Sequence, residues 1–191
     1  MIDTNRTTTI IGIAGSLRRG SFNAALLRAA AEAVSPVTHL EIASIREIPL
    51  YDGDVEAEKG VPDAVQKLKD RIASSNGLLL VTPEYNNSLP GVFKNAIDWL
   101  SRPAKDIGRV FGDRPVALMG ATPGPGGTIL AQSAWLPVLR TLGTRPWFGA
   151  RLLVSGAGKV FDAAGNLVDE HVRSQLKSFM AGFEQFIGRI G

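Results

Sequence analysis

The stretch Gly12–Asn23, GIAGSLRRGSFN, decides how the rest of the chain is read. It follows Thr7–Ala14, a β-branched and apolar run with the composition of a strand, and opens onto an Ala- and Leu-rich helical run beginning at Ala24. Between them lie Gly15 and Gly20, the hydroxyls of Ser16 and Ser21, the guanidiniums of Arg18 and Arg19, Phe22, and the amide of Asn23. Unpaired backbone N–H groups at a helix start carry partial positive charge and hold anions. Ser and Asn add donors, and Arg matches the forked geometry of phosphate oxygens. The turn reads as a phosphate cradle. Its plainer reading is an ordinary strand-to-helix turn with Asn23 as N-cap and exposed arginines. The chain has no GxxxxGK run followed by Ser or Thr, no GxGxxG after this strand, and no cysteine for a phosphatase loop. Those exclusions leave a mononucleotide-type ligand.

Working outward, strands and helices alternate. Ala24–Val34 reads as a helix closed by Pro36, and Val37–Ala43 as a second strand containing His39. Ile48–Pro62 reads as a solvated loop, because its acidic cluster has its glycine too early for a calcium loop and lacks the closing glutamate. Pro62 stands where a helix begins, and Val61, Val65, Leu68 and Ile72 recur at helical spacing. Leu78–Val81 is wholly apolar, as a central parallel strand covered on both faces should be. Helices are expected at Val92–Leu100, with Lys94 and Asp98 paired, and at Thr128–Leu142, bent or interrupted at Pro137; strands are expected at Val116–Gly120 and Phe148–Val154. The last helix buries Val172, Leu176, Phe179, Met180, Phe183, Phe186 and Ile187. This alternation predicts an α/β, doubly wound parallel sheet of five strands, in one domain over 1–191 with 1–6 as a flexible N-terminal tail.

Composition narrows the function. The 191 residues carry a net charge of +3, a pI near 9.4 and no cysteine. A cysteine-free chain excludes disulfides, thiolate metal sites and thiol catalysis, and suits a reducing cytoplasm. The polar N-terminal stretch lacks the apolar core of a signal peptide, and no apolar run approaches the ~20 residues of a membrane span. Basic residues are scattered rather than striped with aromatics, so neither nucleic acid nor membrane is an expected partner. The mild basicity favours small anionic ligands.

In an open parallel sheet, ligands bind beyond the carboxyl ends of the strands. Three loops belong there: the cradle, Thr82–Pro90 (TPEYNNSLP) and Ala121–Gly127 (ATPGPGG). The second exposes backbone donors and one aromatic face at Glu84, Tyr85 and Asn86. The third has almost no side-chain bulk, so a flat ring fits against it. Either is also readable as a plain turn; their convergence at one edge argues for a site.

GSLRRGSFN at Gly15–Asn23 and PEYNNSLPGVFKNAIDWLSRP at Pro83–Pro103 resemble the NAD(P)H-dependent FMN reductases of flavodoxin-like fold, which include bacterial chromate and quinone reductases and some azoreductases. The resemblance implies the sheet order 2-1-3-4-5 and bound FMN. It places the phosphate at Ser16, Arg18, Ser21, Phe22 and Asn23, and the isoalloxazine on Pro83, Glu84, Tyr85 and Asn86, with further contacts from Ala121, Gly124 and Gly126. Pro123 and Pro125 depart from the usual Ser- and Gly-rich third loop. Arg18 has a second open role, at the 2′-phosphate of NADPH. The resemblance further implies NADPH or NADH as co-substrate, with electrons expected to pass by ping-pong kinetics to quinones, azo compounds, free flavin or metal oxyanions such as chromate. The flavin carries the chemistry, so no catalytic side chain and no metal are expected; His39 and His171 lie outside the three loops. The resemblance also implies a homodimer or homotetramer that completes the pocket, with Trp99, Leu100, Arg102 and Trp135 either at that interface or in the core. The rival readings are a flavodoxin-type electron carrier without NAD(P)H turnover and a non-catalytic nucleotide sensor.

Overall fold

Strand β1 (Thr8–Ala14) sends Ile10 to one face of a sheet and Ile11 and Ile13 to the other, because successive side chains of a strand alternate. It leads into helix α1 (Phe22–Ala33), strand β2 (Thr38–Ala43), helices α2 (Gly53–Lys59) and α3 (Asp63–Ser74), and strand β3 (Gly77–Val81). Helix α4 (Gly91–Leu100) precedes a 3-10 turn at Ala104–Asp106 and the one-turn helix α5 (Ile107–Val110). Strand β4 (Pro115–Ala121), helix α6 (Ile129–Thr141), strands β5 (Arg145–Pro146) and β6 (Leu152–Val154), the one-turn helix α7 (Ala157–Val160) and helix α8 (Glu170–Ile190) follow. This computed structural model describes residues 7–190, so the tail expected at 1–6 lies outside the described residues.

The strands pair in parallel in the order β2-β1-β3-β4-β5, with β6 also on β4. Helices α1 and α8 cover one face and α3, α4 and α6 the other. Central β3 is buried along its whole length, giving Leu79 and Val81 to the first core and Leu78 and Leu80 to the second. The architecture is the flavodoxin-like one expected. No helix among the described residues is long and apolar enough to cross a membrane.

Four local expectations change. Ile48–Pro62 contains α2, which buries no residue and therefore shows no apolar periodicity. Its acidic residues are helix-start charges: Asp52 accepts from the Asp54 N–H at 2.9 Å, and Asp54 and Glu56 occupy the first turn. Pro62 is the N-cap residue of α3 rather than its first residue. Helix α6 runs through Pro137 without interruption. The strand expected at Phe148–Val154 is confined to Leu152–Val154, and the last sheet position is shared with β5. Between them the chain leaves the sheet: Trp147 turns its indole onto Phe179 of α8, 5.0 Å between ring centroids, and Phe148 is 72% exposed.

Trp99, Leu100 and Trp135 are fully buried within the chain, so core packing is their role, and they do not form an intersubunit face. Arg102 donates to both carboxylate oxygens of Glu56, at 3.0 and 2.8 Å. The Lys94–Asp98 pair forms at 2.7 Å.

The fully buried Lys69 on α3 donates from Nζ to the Arg102 carbonyl and, at 2.6 Å, to Asp106 Oδ2. This hydrogen bond holds the Asp106 carboxyl below the usual carboxylate range, and Arg102 does the same for Glu56. A carboxyl whose folded pKa is depressed contributes stability above its unfolded value, about 3.9 for Asp, and loses it as pH falls through the folded value. Asp106→Asn is therefore expected to lower the unfolding temperature at neutral pH and to flatten its decline below about pH 4. Calorimetry across that range checks both.

Candidate functional site

The carboxyl ends of β1, β3, β4 and β6 form one edge, and backbone pairing continues past them. The Gly15 N–H donates to the Val81 carbonyl, the Thr82 N–H to Met119 and the Thr122 N–H to Val154, each at 2.9 Å. The three loops singled out by their sequence thus start from one line. The Ala157 N–H donates to the Thr122 carbonyl at 3.0 Å, adding the start of α7 to the same edge.

The first loop is tied down from several sides. Ser21 is the N-cap of α1, its Oγ accepting from the Ala24 N–H at 3.2 Å. The expectation of Asn23 as N-cap is corrected: Asn23 lies inside the helix and is 3% exposed. Its Nδ2 donates to the Ala121 carbonyl and its Oδ1 accepts from the Ala121 N–H, both at 2.9 Å. The side chain thus mimics a neighbouring strand, and Asn23 has its backbone N–H left to offer an anion. Among the described residues, the N–H groups of Gly20, Phe22 and Asn23 meet no acceptor. Ser16 is half-buried, and its Oγ accepts from the Arg18 N–H at 3.4 Å. Arg18 and Arg19 are exposed, with the Arg18 guanidinium 5.5 Å from the centre of the Phe22 ring, a cation–π contact. Phe22 in turn stacks on Phe161 at 6.0 Å. A cavity of about 280 Å³ adjoins this corner, lined by Arg19, Ser21, Phe22, Arg28 and Asp162 among others. Arg46, which sequence reasoning missed, donates to the Leu17 carbonyl at 2.6 Å from the segment after β2. A Cβ on Gly15 would overlap the Phe93 ring, so glycine lets the loop cross α4.

In the second loop, Pro83 is buried and Tyr85 is 49% exposed. Tyr85 and Ser88 exchange two backbone hydrogen bonds of 3.0 Å, with Asn86 at φ 49° and Asn87 at φ 61°. This is a two-residue hairpin whose left-handed positions asparagine tolerates. Thr82 Oγ1 donates to the Pro83 carbonyl at 2.9 Å and accepts from Trp135 Nε1 at 3.0 Å. Glu84 Oε2 accepts from the N–H groups of Leu130 and Ala131, at 2.8 and 3.0 Å.

The third loop meets the first at buried Ala121. A Cβ on Gly126 would touch nothing within 4 Å, and one on Gly124 only Thr122 Oγ1 at 3.9 Å. Neither residue is in the left-handed region, so neither conformation nor internal packing demands glycine there. The two leave an open, flat surface. The edge therefore combines unpaired backbone donors at the start of α1, an exposed aromatic turn and a bare glycine surface, a shape suited to a planar ligand with an anionic tail. Among the described residues there is no cluster of His, Cys, Asp and Glu able to hold a metal ion. His39 and His171 are both exposed and lie off these loops.

Residues 8–158 match the family model described as NADPH-dependent FMN reductase. The chain is 39% identical over 181 residues to an NAD(P)H-dependent FMN reductase of Pseudomonas aeruginosa, covering 95% of this chain and 96% of that one. It is 37% identical to a 2-hydroxy-1,4-benzoquinone reductase of a Burkholderia species, covering 92% and 93% of the two chains. Its fold superposes on a flavoenzyme NAD(P)H:(acceptor) oxidoreductase of Paracoccus denitrificans with a TM-score of 0.86 and 32% identity, over 96% of this chain and 99% of that one.

Removing the Asn23 amide leaves two buried polar groups of Ala121 unpaired, at about 1–3 kcal/mol each. Asn23→Ala is therefore expected to lose about 2–6 kcal/mol of stability in urea unfolding; a loss under about 0.5 kcal/mol, the scale of an ordinary surface change, would contradict the bridge's role.

Proposed function

The chain belongs to the NADPH-dependent FMN reductase family, and from that membership we propose that it binds FMN at the three-loop edge and reduces quinones with NAD(P)H. The observation that carries the reading is the set of unpaired N–H groups at the start of α1, beside Arg18 and joined through Asn23 to Ala121, where the third loop begins. These residues fit FMN. Backbone donors, the Ser16 and Ser21 hydroxyls and Arg18 match a dianionic phosphate. The space beside Gly124 and Gly126 accepts a flat ring that side chains there would exclude. In this assignment Phe22 and Asn23 contribute through their N–H groups, while Pro83, Glu84, Tyr85, Asn86 and Ala121 seat the ring.

When bound, the flavin supplies the redox chemistry, taking hydride from the nicotinamide and releasing electrons to the acceptor. The chain's own residues bind and orient. The anion site fixes the tail, the tethered loops fix the ring plane, and backbone dipoles at the edge favour added negative charge on it. No side-chain acid or base is needed. Nicotinamide and acceptor use one open face in turn, which gives ping-pong kinetics. The same open edge supports loose acceptor choice, extending to azo compounds, free flavin and oxyanions such as chromate. Arg18 and Arg19, both exposed beside the cradle, are the cations available to the 2′-phosphate of NADPH.

The active form is a symmetric homodimer, or a tetramer built from it, with the partner completing the pocket. Ile129, Leu130 and Leu136, exposed on α6, support that face in place of the buried tryptophans. The cysteine-free composition supports a reducing cytoplasmic setting.

Purified protein is expected to show a flavin absorption band that bleaches on anaerobic addition of NADPH and returns with a quinone. Colourless protein that takes up no FMN, or a band untouched by NADPH and NADH alike, would overturn the reading. Arg18→Ala is expected to raise the FMN dissociation constant about tenfold, some 1.4 kcal/mol, measured by quenching of flavin fluorescence.

A further inference from the structure

Helices α1 and α6 both begin at the sheet edge that carries the site, and their first turns are treated differently. The Phe22 and Asn23 N–H groups of α1 meet no acceptor among the described residues, Ala24 being capped by Ser21. Those of α6 are taken. Thr128, at the N-cap position of α6, has a left-handed backbone (φ 68°) and makes no side-chain cap. The Ile129 N–H turns back to the Gly126 carbonyl at 3.1 Å, and the Gln132 N–H is bonded to the Thr128 carbonyl at 3.0 Å. That leaves the N–H groups of Leu130 and Ala131, and a single oxygen, Glu84 Oε2, accepts both at 2.8 and 3.0 Å.

Glu84 thus caps a helix that starts 45 residues after it. A carboxylate at the positive end of a helix is stabilised by charge-assisted hydrogen bonds. The contact is also a tether. The backbone of Glu84 lies between Pro83, whose carbonyl is held by the Thr82 hydroxyl, and the Tyr85–Ser88 hairpin. Its side chain therefore ties that hairpin to α6 and, through Gly126–Thr128, to the third loop. One carboxylate oxygen of Glu84 is thus committed to the first turn of α6.

We propose that Glu84 is a positioning residue: by capping α6 it sets the Tyr85–Ser88 turn against the Ala121–Gly127 loop, and so fixes the seat of the isoalloxazine ring. This rests on the flavin reading above. The requirement is an acceptor oxygen on an arm of this length. Gln supplies one; Asp is a methylene too short, and Ala supplies none.

The test uses the full chain and the variants Glu84→Gln, Glu84→Asp and Glu84→Ala, with FMN as the probe. Three quantities are read: the FMN dissociation constant, the visible circular dichroism of the bound flavin, and hydrogen exchange of the Leu130 and Ala131 amides. Gln is expected to stay within about threefold of the parent in FMN affinity. Asp and Ala are expected to weaken FMN about tenfold or more, to change the flavin dichroism, and to speed exchange at both amides. If Ala fails to fold, the contrast between Asp and Gln decides. A cap that only stabilises the fold would lower the unfolding temperature while leaving affinity and dichroism at parental values, and that result overturns the proposal. Failure of the parent chain itself to take up FMN would instead overturn the flavin reading and the positioning role together.

Discussion

The pair of hydrogen bonds between the Asn23 amide and the peptide of Ala121 is the constraint on which the site depends. Both residues are buried, where unpaired polar groups are costly, so the two loops they join cannot drift apart cheaply. The bridge also decides what each loop has left to offer. With its side chain committed, Asn23 presents the start of α1 as a backbone surface, flanked by serine hydroxyls and arginines. With its peptide paired, Ala121 ends β4 cleanly, and in the loop beyond it Gly124 and Gly126 have open space beside them.

Two other contacts act in the same way. Arg46 holds the first loop by the Leu17 carbonyl, and Glu84 holds the second by the first turn of α6. The three segments are thus fastened by side chains that reach backbone groups elsewhere in the chain. A site built this way is preorganised without a crowded interior. That suits a protein whose chemistry is supplied by the group it binds, and it accords with the family to which the chain belongs.

Much of this was legible in the residues. The wholly apolar run in β3 and the spacing of Val65, Leu68 and Ile72 in α3 each encode burial directly, so strand, helix and doubly wound sheet followed from pattern. The three loops picked out by residue type leave the sheet at one edge. What pattern could not show was anything decided by distant partners. Asn23 looks like a cap or a phosphate donor until Ala121, 98 residues later, is placed beside it. The tethers made by Glu84 and Arg46 are hidden for the same reason. Helix α2 escaped because it buries nothing, although Asp52 before it and Gly60 after it were usable start and stop signals. The strand at Phe148 was overcalled because an exposed aromatic in an apolar run looks the same as a buried one, and Trp99 and Trp135 were open to an interface role for the converse reason.

The central claim is that an anionic tail is held by the backbone at the start of α1. It is tested most directly by following the amide resonances of isotopically labelled chain during parallel titrations with FMN and with riboflavin, which has the same ring system and no phosphate. The expected result is that the Phe22 and Asn23 amides shift strongly with FMN and little with riboflavin. Amides at 22 and 23 that ignore FMN, or respond equally to both compounds, would contradict the account.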